Sequence, residues 1–263
     1  SDCDRLRPLV DGTVPIQGVD PVWHVKGVQE LFNSQLADHR LDACEFPLAT
    51  YIRDLENQRR YLAIPVFPSR HFRLSCIFIN KSAGITRPAD LAGRRVGIPV
   101  WDMAAAVWLR GMLEDYFDLP RSAPVYVTNG LEHARVGDEH PQFYPEGVVI
   151  EHATAEGGLA RMLADGEIDA LYTARAPSSY TADGPVSRLF EDPMPVEKGY
   201  FDKTGIYPAM HVVCIKREIA EANPGLTANL FEAFRTAQAV ARARLYDSAA
   251  LSVMLPWLLE HLT

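Results

Sequence analysis

The sequence predicts an α/β fold with largely parallel sheets. Three observations carry this. Short strand-like runs, such as RRVGIP (94–99) and PVYVT (124–128), alternate with segments of helical spacing along the whole chain. No internal repeat recurs at a fixed period, which argues against a solenoid. The chain has 263 residues, 48% of them hydrophobic and 23% charged, enough to bury one large core or the cores of two lobes.

The elements follow in order. Residues 1–12 read as a loop leaving a strand that would lie upstream, and both ends of the chain are expected to be clipped. Residues 19–25 form a short strand candidate. Residues 27–38 place Val28, Leu31, Phe32 and Leu36 near helical spacing. A strand over 41–46, a helix over 47–58 and two strand-like runs within 61–80 come next. A strand at 94–99 leads into a strong helix over 101–116, with Ala104, Val107, Trp108 and Met112 on one stripe. Asp102 sits near its start, where an acid favours the helix dipole and backbone N–H groups can also face an anion. Arg110 lies two turns in, where a solvated helix face competes with a functional role.

Residues 129–147 are rich in Gly, Pro, His and charge and read as an irregular excursion. Strands are expected at 147–150 and 168–173, and a helix over 158–165 that Gly166 ends. Residues 186–199, Pro-rich and acidic, read as loop. A strand over 209–215 carries His211 near its start. Residues 219–250 are dominated by helix formers, broken at Asn223-Pro224-Gly225. Residues 251–262 are apolar and expected to pack on the body.

Composition excludes several functions. The formal net charge is −8, and no basic stripe runs along the chain, so a nucleic-acid role is not expected. No apolar run approaches the roughly 20 residues that a membrane helix needs. Cys3, Cys44, Cys76 and Cys214 are scattered, with no CxxC pair; Cys44, Cys76 and Cys214 read as buried thiols rather than zinc ligands. The chain has no GxGxxG and no GxxxxGK[ST], so no nucleotide loop is present. No cofactor is expected. His, Glu and Asp are available, but no HxH or HxxxH spacing supports a metal, and none is predicted. The first residue is Ser, and there is no apolar leader.

The most informative stretch is 61–80, YLAIPVFPSRHFRLSCIFIN. Its turn, 68–73, gathers Arg70, His71 and Arg73. If the turn is extended, Arg70 and His71 point opposite ways. In an acidic chain such a concentration of guanidiniums fits a carboxylate, whose geometry matches the planar Arg fork; the alternative is a solvated basic turn.

The phrases IPVFPSRHFRLSCIFIN, GITRPADLAGRRVGIPVWDMAAAVWLRGML, GEIDALYTARAPSSY, TGIYPAMHVVCIKREI and LYDSAALSVMLPWLLE, taken together, resemble the 4,5-dihydroxyphthalate decarboxylase family. DLAGRRVGIP alone is a broader signal, similar to type 2 periplasmic binding proteins. The resemblance implies a two-lobed type 2 periplasmic-binding-protein-like fold with mixed, mostly parallel sheets and a ligand cleft between lobes. Lobe one would be residues 1–80 and 208–263; lobe two would be 81–207. It further implies a cytoplasmic carboxy-lyase acting on a small aromatic carboxylate, with homo-oligomerisation left open.

Such a reaction requires a cationic clamp, a proton donor and an acceptor for the phenol. Arg5, Arg70, Arg73 and Arg175 are the candidate clamp, with Ser178 beside Arg175. His71 or His211 is the candidate proton donor, and Glu45 or Asp102 the acceptor. His211 can equally be a hydrogen-bonded core histidine, and Glu45 a helix cap. His24, His39, His133, His140 and His152 are expected to be solvated. The alternative function, from a different class, is a non-catalytic solute-binding protein of an ABC-type transporter for an aromatic or other small organic anion. An upstream leader would favour this alternative and a periplasmic or lipid-anchored location.

Overall fold

The computed structural model describes residues 2–135 and 144–262. In chain order the elements are α1 (Arg7–Val10), α2 (Val28–Asp38), β1 (Ala43–Pro47), α3 (Leu48–Glu56), β2 (Tyr61–Ile64), β3 (Ile77–Asn80), β4 (Arg95–Ile98), α4 (Ala104–Phe117), β5 (Val125–Thr128) and β6 (Val149–His152). They continue as α5 (Gly158–Asp165), β7 (Ala170–Tyr172), β8 (Val186–Arg188), α6 (Pro193–Thr204), β9 (His211–Lys216), α7 (Arg217–Ala222), α8 (Leu226–Leu245) and α9 (Leu258–His261). The chain divides into two units: Ser1–Ser69 with His211–Thr263, and Arg70–Met210. It builds part of one α/β unit, completes a second and returns to the first, which is the two-lobed type 2 periplasmic-binding-protein-like arrangement. The passages fall at 69/70 and 210/211, so β3 belongs to the second unit.

Unit 1 is organised on a three-stranded sheet, β1-β9-β2, with β9 antiparallel to both neighbours. One face, with Cys44, Phe46, Tyr61, Val212 and Cys214, packs on Leu36, Leu48 and Tyr51 of the helices before and after β1. The other face, with Ile64, Val213 and Ile215, packs on α8 through Leu230, Ala233 and Ala237. The alanines at helical spacing let α8 approach the sheet closely.

The strand expected at 19–25 does not form. A strand needs a ladder partner, and β1 pairs only with β9. Its other edge faces a cavity of about 900 Å³ whose walls include residues 17–25, Ala43–Glu45 and Leu230. Val22 is consequently 83% exposed. Residues 251–262 also depart from expectation: Leu258 is buried, but Met254 and Trp257 are 94% and 74% exposed.

Unit 2 contains a six-stranded sheet, β6-β5-β4-β7-β3-β8. β6, β5, β4 and β7 are parallel, and β3 runs antiparallel to β7 and β8. α4 buries Ala106, Leu109, Met112 and Leu113 on one core, and α5 buries Leu159, Met162 and Leu163 on another. Gly166 closes α5 in the left-handed region at φ 76°. Residues 186–199, read from the sequence as loop, contain β8 and the start of α6. Asp192 caps α6 by accepting from the Met194 N–H, and Pro193 occupies the first turn, where it loses no hydrogen bond. Part of the 129–147 excursion, with His140, lies outside the described residues.

His39 is not solvated as expected. It closes α2 at φ 50°, its Nδ1 lies 2.8 Å from the Tyr61 hydroxyl and its Nε2 lies 2.5 Å from Arg60 Nη1. Arg60 is held in turn by buried Asp54 at 2.9 Å. Burial, then the Arg60 charge, lowers the imidazole's pKa below its usual value. The folded protein therefore keeps His39 neutral where the unfolded chain would bind a proton. The resulting stability is present above about pH 6.5 and is lost as pH falls from there through the lower, folded pKa. His39→Asn, which tolerates the left-handed backbone, should flatten this acid-side decline in urea denaturation between about pH 7 and 5. An unchanged slope would assign the decline to other groups.

Candidate active site

In unit 1 the sheet itself positions two of the candidate residues, Glu45 and His211. The β1/β9 register sets Glu45 opposite Val213 and Pro47 opposite His211. Side chains two residues apart share a face, so Glu45 and His211 are diagonal neighbours across the ladder. His211 Nδ1 lies 2.6 Å from Glu45 Oε1, with side chains 15% and 5% exposed. A carboxylate can only accept here, so the proton sits on Nδ1 and leaves Nε2 as the imidazole's second working nitrogen. The edge of Phe32 in α2 packs on the imidazole, with ring centroids 4.9 Å apart. Glu45 is thus inside a strand, not a cap for α3, whose first residue follows Pro47.

Arg5 lies in the same unit. Its Nε donates to the Pro68 carbonyl at 2.5 Å and its Nη1 to Asp4 at 3.0 Å. Cys3, given no role from sequence, is half-buried, and both the Arg5 and Glu45 charges act on its thiol, whose pKa burial raises. No motif spacing links Cys3 to Glu45; only the fold does.

Unit 2 assembles the phrases that made the sequence distinctive. Arg73 donates from Nε to Met210 Sδ at 3.2 Å and from Nη1 to the Ala174 carbonyl at 3.3 Å. The turn carrying Arg73 therefore sits against the loop carrying Arg175. Trp108 of α4 donates to the Ala209 carbonyl at 2.8 Å, and Ala209 bridges to Arg70. Arg73 is half-buried and Arg175 exposed, and neither forms an ion pair among the described residues.

Arg70 is placed differently. Its Nε and Nη2 donate to the Tyr207 carbonyl at 3.2 and 2.7 Å, and its guanidinium lies 4.8 Å from the centre of the Tyr207 ring. Much of its bonding capacity is already used in holding a turn. His71 is exposed, with Nδ1 against the Phe72 carbonyl. Ser178 gives both its N–H and its hydroxyl to Glu132. Asp102 is half-buried one residue ahead of Met103, which occupies the N-cap of α4, so it is not the cap. Arg110 faces inward: it is 7% exposed.

Over 98% of its length the chain is 37% identical to the 4,5-dihydroxyphthalate decarboxylase of Comamonas testosteroni, of which the alignment covers 79%. The chain belongs to the 4,5-dihydroxyphthalate decarboxylase family. A second member, from Pseudomonas putida, is 39% identical over 72% of this chain and 74% of its own. No family model matches the chain. Among solved structures, protein AF1704 from Archaeoglobus fulgidus aligns with a TM-score of 0.54 at 14% identity, covering 93% of this chain and 74% of that one, a likeness of fold alone.

The Glu45–His211 geometry predicts a fixed tautomer. Nitrogen-15 correlation spectra of the neutral imidazole should show Nδ1 protonated and Nε2 bare, and Glu45→Gln should mix the two forms. A bare Nδ1 in the unmodified protein would break the assignment.

Proposed function

We propose that this chain decarboxylates a hydroxylated aromatic carboxylic acid, 4,5-dihydroxyphthalate first among them, releasing carbon dioxide and leaving protocatechuate. The reading rests above all on the buried Glu45–His211 pair, an acid–base unit suited to moving one proton. Family membership supports it, since relatives 37% and 39% identical carry that activity in their names.

The chemistry asks for little beyond these groups. Each carboxylate of the substrate has a ring hydroxyl para to it. As that phenol gives up its proton, electrons move into the ring and the carbon bearing the carboxylate becomes basic. Protonated His211 delivers its Nε2 proton to that carbon. The C–C bond to the carboxylate then breaks, carbon dioxide leaves and the ring regains aromaticity. One proton replaces one carboxylate, so no oxidant or reductant is consumed. Glu45 stabilises the imidazolium before transfer and holds its orientation afterwards. Asp102 remains the candidate acceptor for the phenolic proton.

Arg73 and Arg175 in unit 2, and Arg5 in unit 1, are the guanidiniums proposed to hold carboxylate oxygens. Arg73 and Arg175 suit the role best because no acid neutralises them among the described residues. Arg70, fixed on Tyr207, is proposed to shape the turn that presents Arg73. His71 and Ser178 are weaker candidates because of the partners they hold. A cytoplasmic location fits a catabolic enzyme of this kind.

Purified protein should release carbon dioxide from 4,5-dihydroxyphthalate with no cofactor added. Tight binding without turnover would replace the enzyme reading with that of a binding protein. His211→Gln should lower kcat by about 10²- to 10⁴-fold, the span of general acid catalysis, with a smaller effect on substrate affinity. Arg73→Ala should weaken binding of the dianion by roughly 2–5 kcal/mol, the scale for truncating one member of a charge pair, and Arg70→Ala by less. The reverse order would exchange their roles.

A further inference from the structure

Arg110 is the only buried charged side chain among the described residues of unit 2. It projects from α4 beneath the β4–α4 loop, where its guanidinium lies 3.7 Å from the centre of the Trp101 ring and Nη2 donates to the Trp101 carbonyl at 2.9 Å. Nη1 makes no hydrogen bond to any described residue. Tyr172 on β7 is fully buried, and its hydroxyl is likewise unbonded. The two belong to one aromatic cluster. Trp101 meets Tyr126 edge-on with centroids 5.2 Å apart, and Tyr126 meets Tyr172 at 6.5 Å. The Tyr126 hydroxyl is already used, donating to the Arg121 carbonyl at 2.8 Å.

The charge is real at neutral pH: burial lowers the guanidinium's pKa only to about 10. Asp102 adds a favourable charge interaction at a distance. The Trp101 ring face and one carbonyl stabilise part of the charge. A buried cation ordinarily has an anionic partner as well, because an isolated charge in a low-dielectric interior is costly. The groups left over, a guanidinium NH2 and a phenolic O–H, can both donate. Aromatic rings, whose edges carry positive potential, surround them. Two unsatisfied buried donors, Arg110 Nη1 and the Tyr172 hydroxyl, form the complement of an anion.

We propose that unit 2 contains an interior site for a small inorganic anion of halide size, held by Arg110 Nη1 with the Tyr172 hydroxyl as second donor. The site is separate from the proposed acid–base pair and stands whether or not the decarboxylase reading does. Its structural effect is to fix Arg110, and through the Trp101 carbonyl and ring, the loop that leads from β4 to Asp102 and α4.

Bromide is the probe. In crystals of the full chain grown with bromide as the only halide, anomalous scattering should show a peak in contact with Arg110 Nη1. No peak there, with a water or a protein carbonyl on Nη1 instead, would overturn the proposal. In solution at fixed ionic strength, the thermal midpoint should rise with bromide or chloride and not with gluconate. Tyr172→Phe keeps the ring and the cation but removes one donor, so halide affinity read from that rise should fall about tenfold, equivalent to roughly 1.4 kcal/mol. A midpoint insensitive to halide, or equally sensitive in Tyr172→Phe, would also overturn it.

Discussion

Unit 1 depends on the backbone ladder between β1 and β9. β9 is the middle strand, so its pairing with β1 and β2 decides which side chains meet. A slip of one residue would turn Glu45 toward the face that holds Phe46 and Cys214, and would expose an apolar strip in its place. The register is protected by that cost: Phe46, Val212, Val213, Cys214 and Ile215 are each at most 3% exposed. Hydrophobic burial of these neighbours, worth about 1.5–3 kcal/mol per large aliphatic or aromatic side chain, holds the polar pair in place. The pair need not stabilise the fold. A buried ion pair often contributes little net stability, whereas removal of one partner leaves the other uncompensated, at about 3–5 kcal/mol.

Most of the framework was legible in the sequence because it rests on local signals. The Gly166 stop and the Asn223-Pro224-Gly225 break are short-range rules, and the elements obey them; α4 forms where helical spacing was expected, but Val107 of the expected stripe is exposed and Leu109 and Leu113 are buried instead. The departures have several causes. Residues 19–25 carry strand-like composition, but a ladder requires a partner that lies elsewhere in space. Asp192 and Pro193 begin a helix where Pro content and acidity suggested loop, because Pro is compatible with a first turn. Arg110 illustrates the limit of periodicity. Its position on α4 did not exclude a solvated face, and the Trp101 ring and carbonyl, which favour the inward direction, are brought to it by the fold.

The candidate site was legible as a set of residue types and less so as a set of contacts. Glu45 and His211 were each singled out, but their pairing follows from strand register and not from spacing along the chain. The arginines of the SRHFR turn looked equivalent in sequence. In the fold Arg70 spends its donors on Tyr207, while Arg73 reaches the loop of Arg175 with no acid attached. The distinction matters for a protein of net charge −8, in which carboxylates outnumber basic side chains. Guanidiniums kept apart from acids in such a chain retain a stronger field for an incoming anion than those already neutralised.

The thiols have a practical consequence. Cys44 and Cys214 face each other across the β1/β9 ladder, both buried, and burial raises the pKa of both, that of Cys44 to about 12. Cys76 is also buried, and only Cys3 has substantial access to solvent. An alkylating reagent therefore meets one accessible sulfur in the native state and four once the chain opens. Mapped by residue after a brief pulse, adducts on Cys44 and Cys214 time the unfolding of the unit that carries the proposed acid–base pair, and an adduct on Cys76 times that of the other.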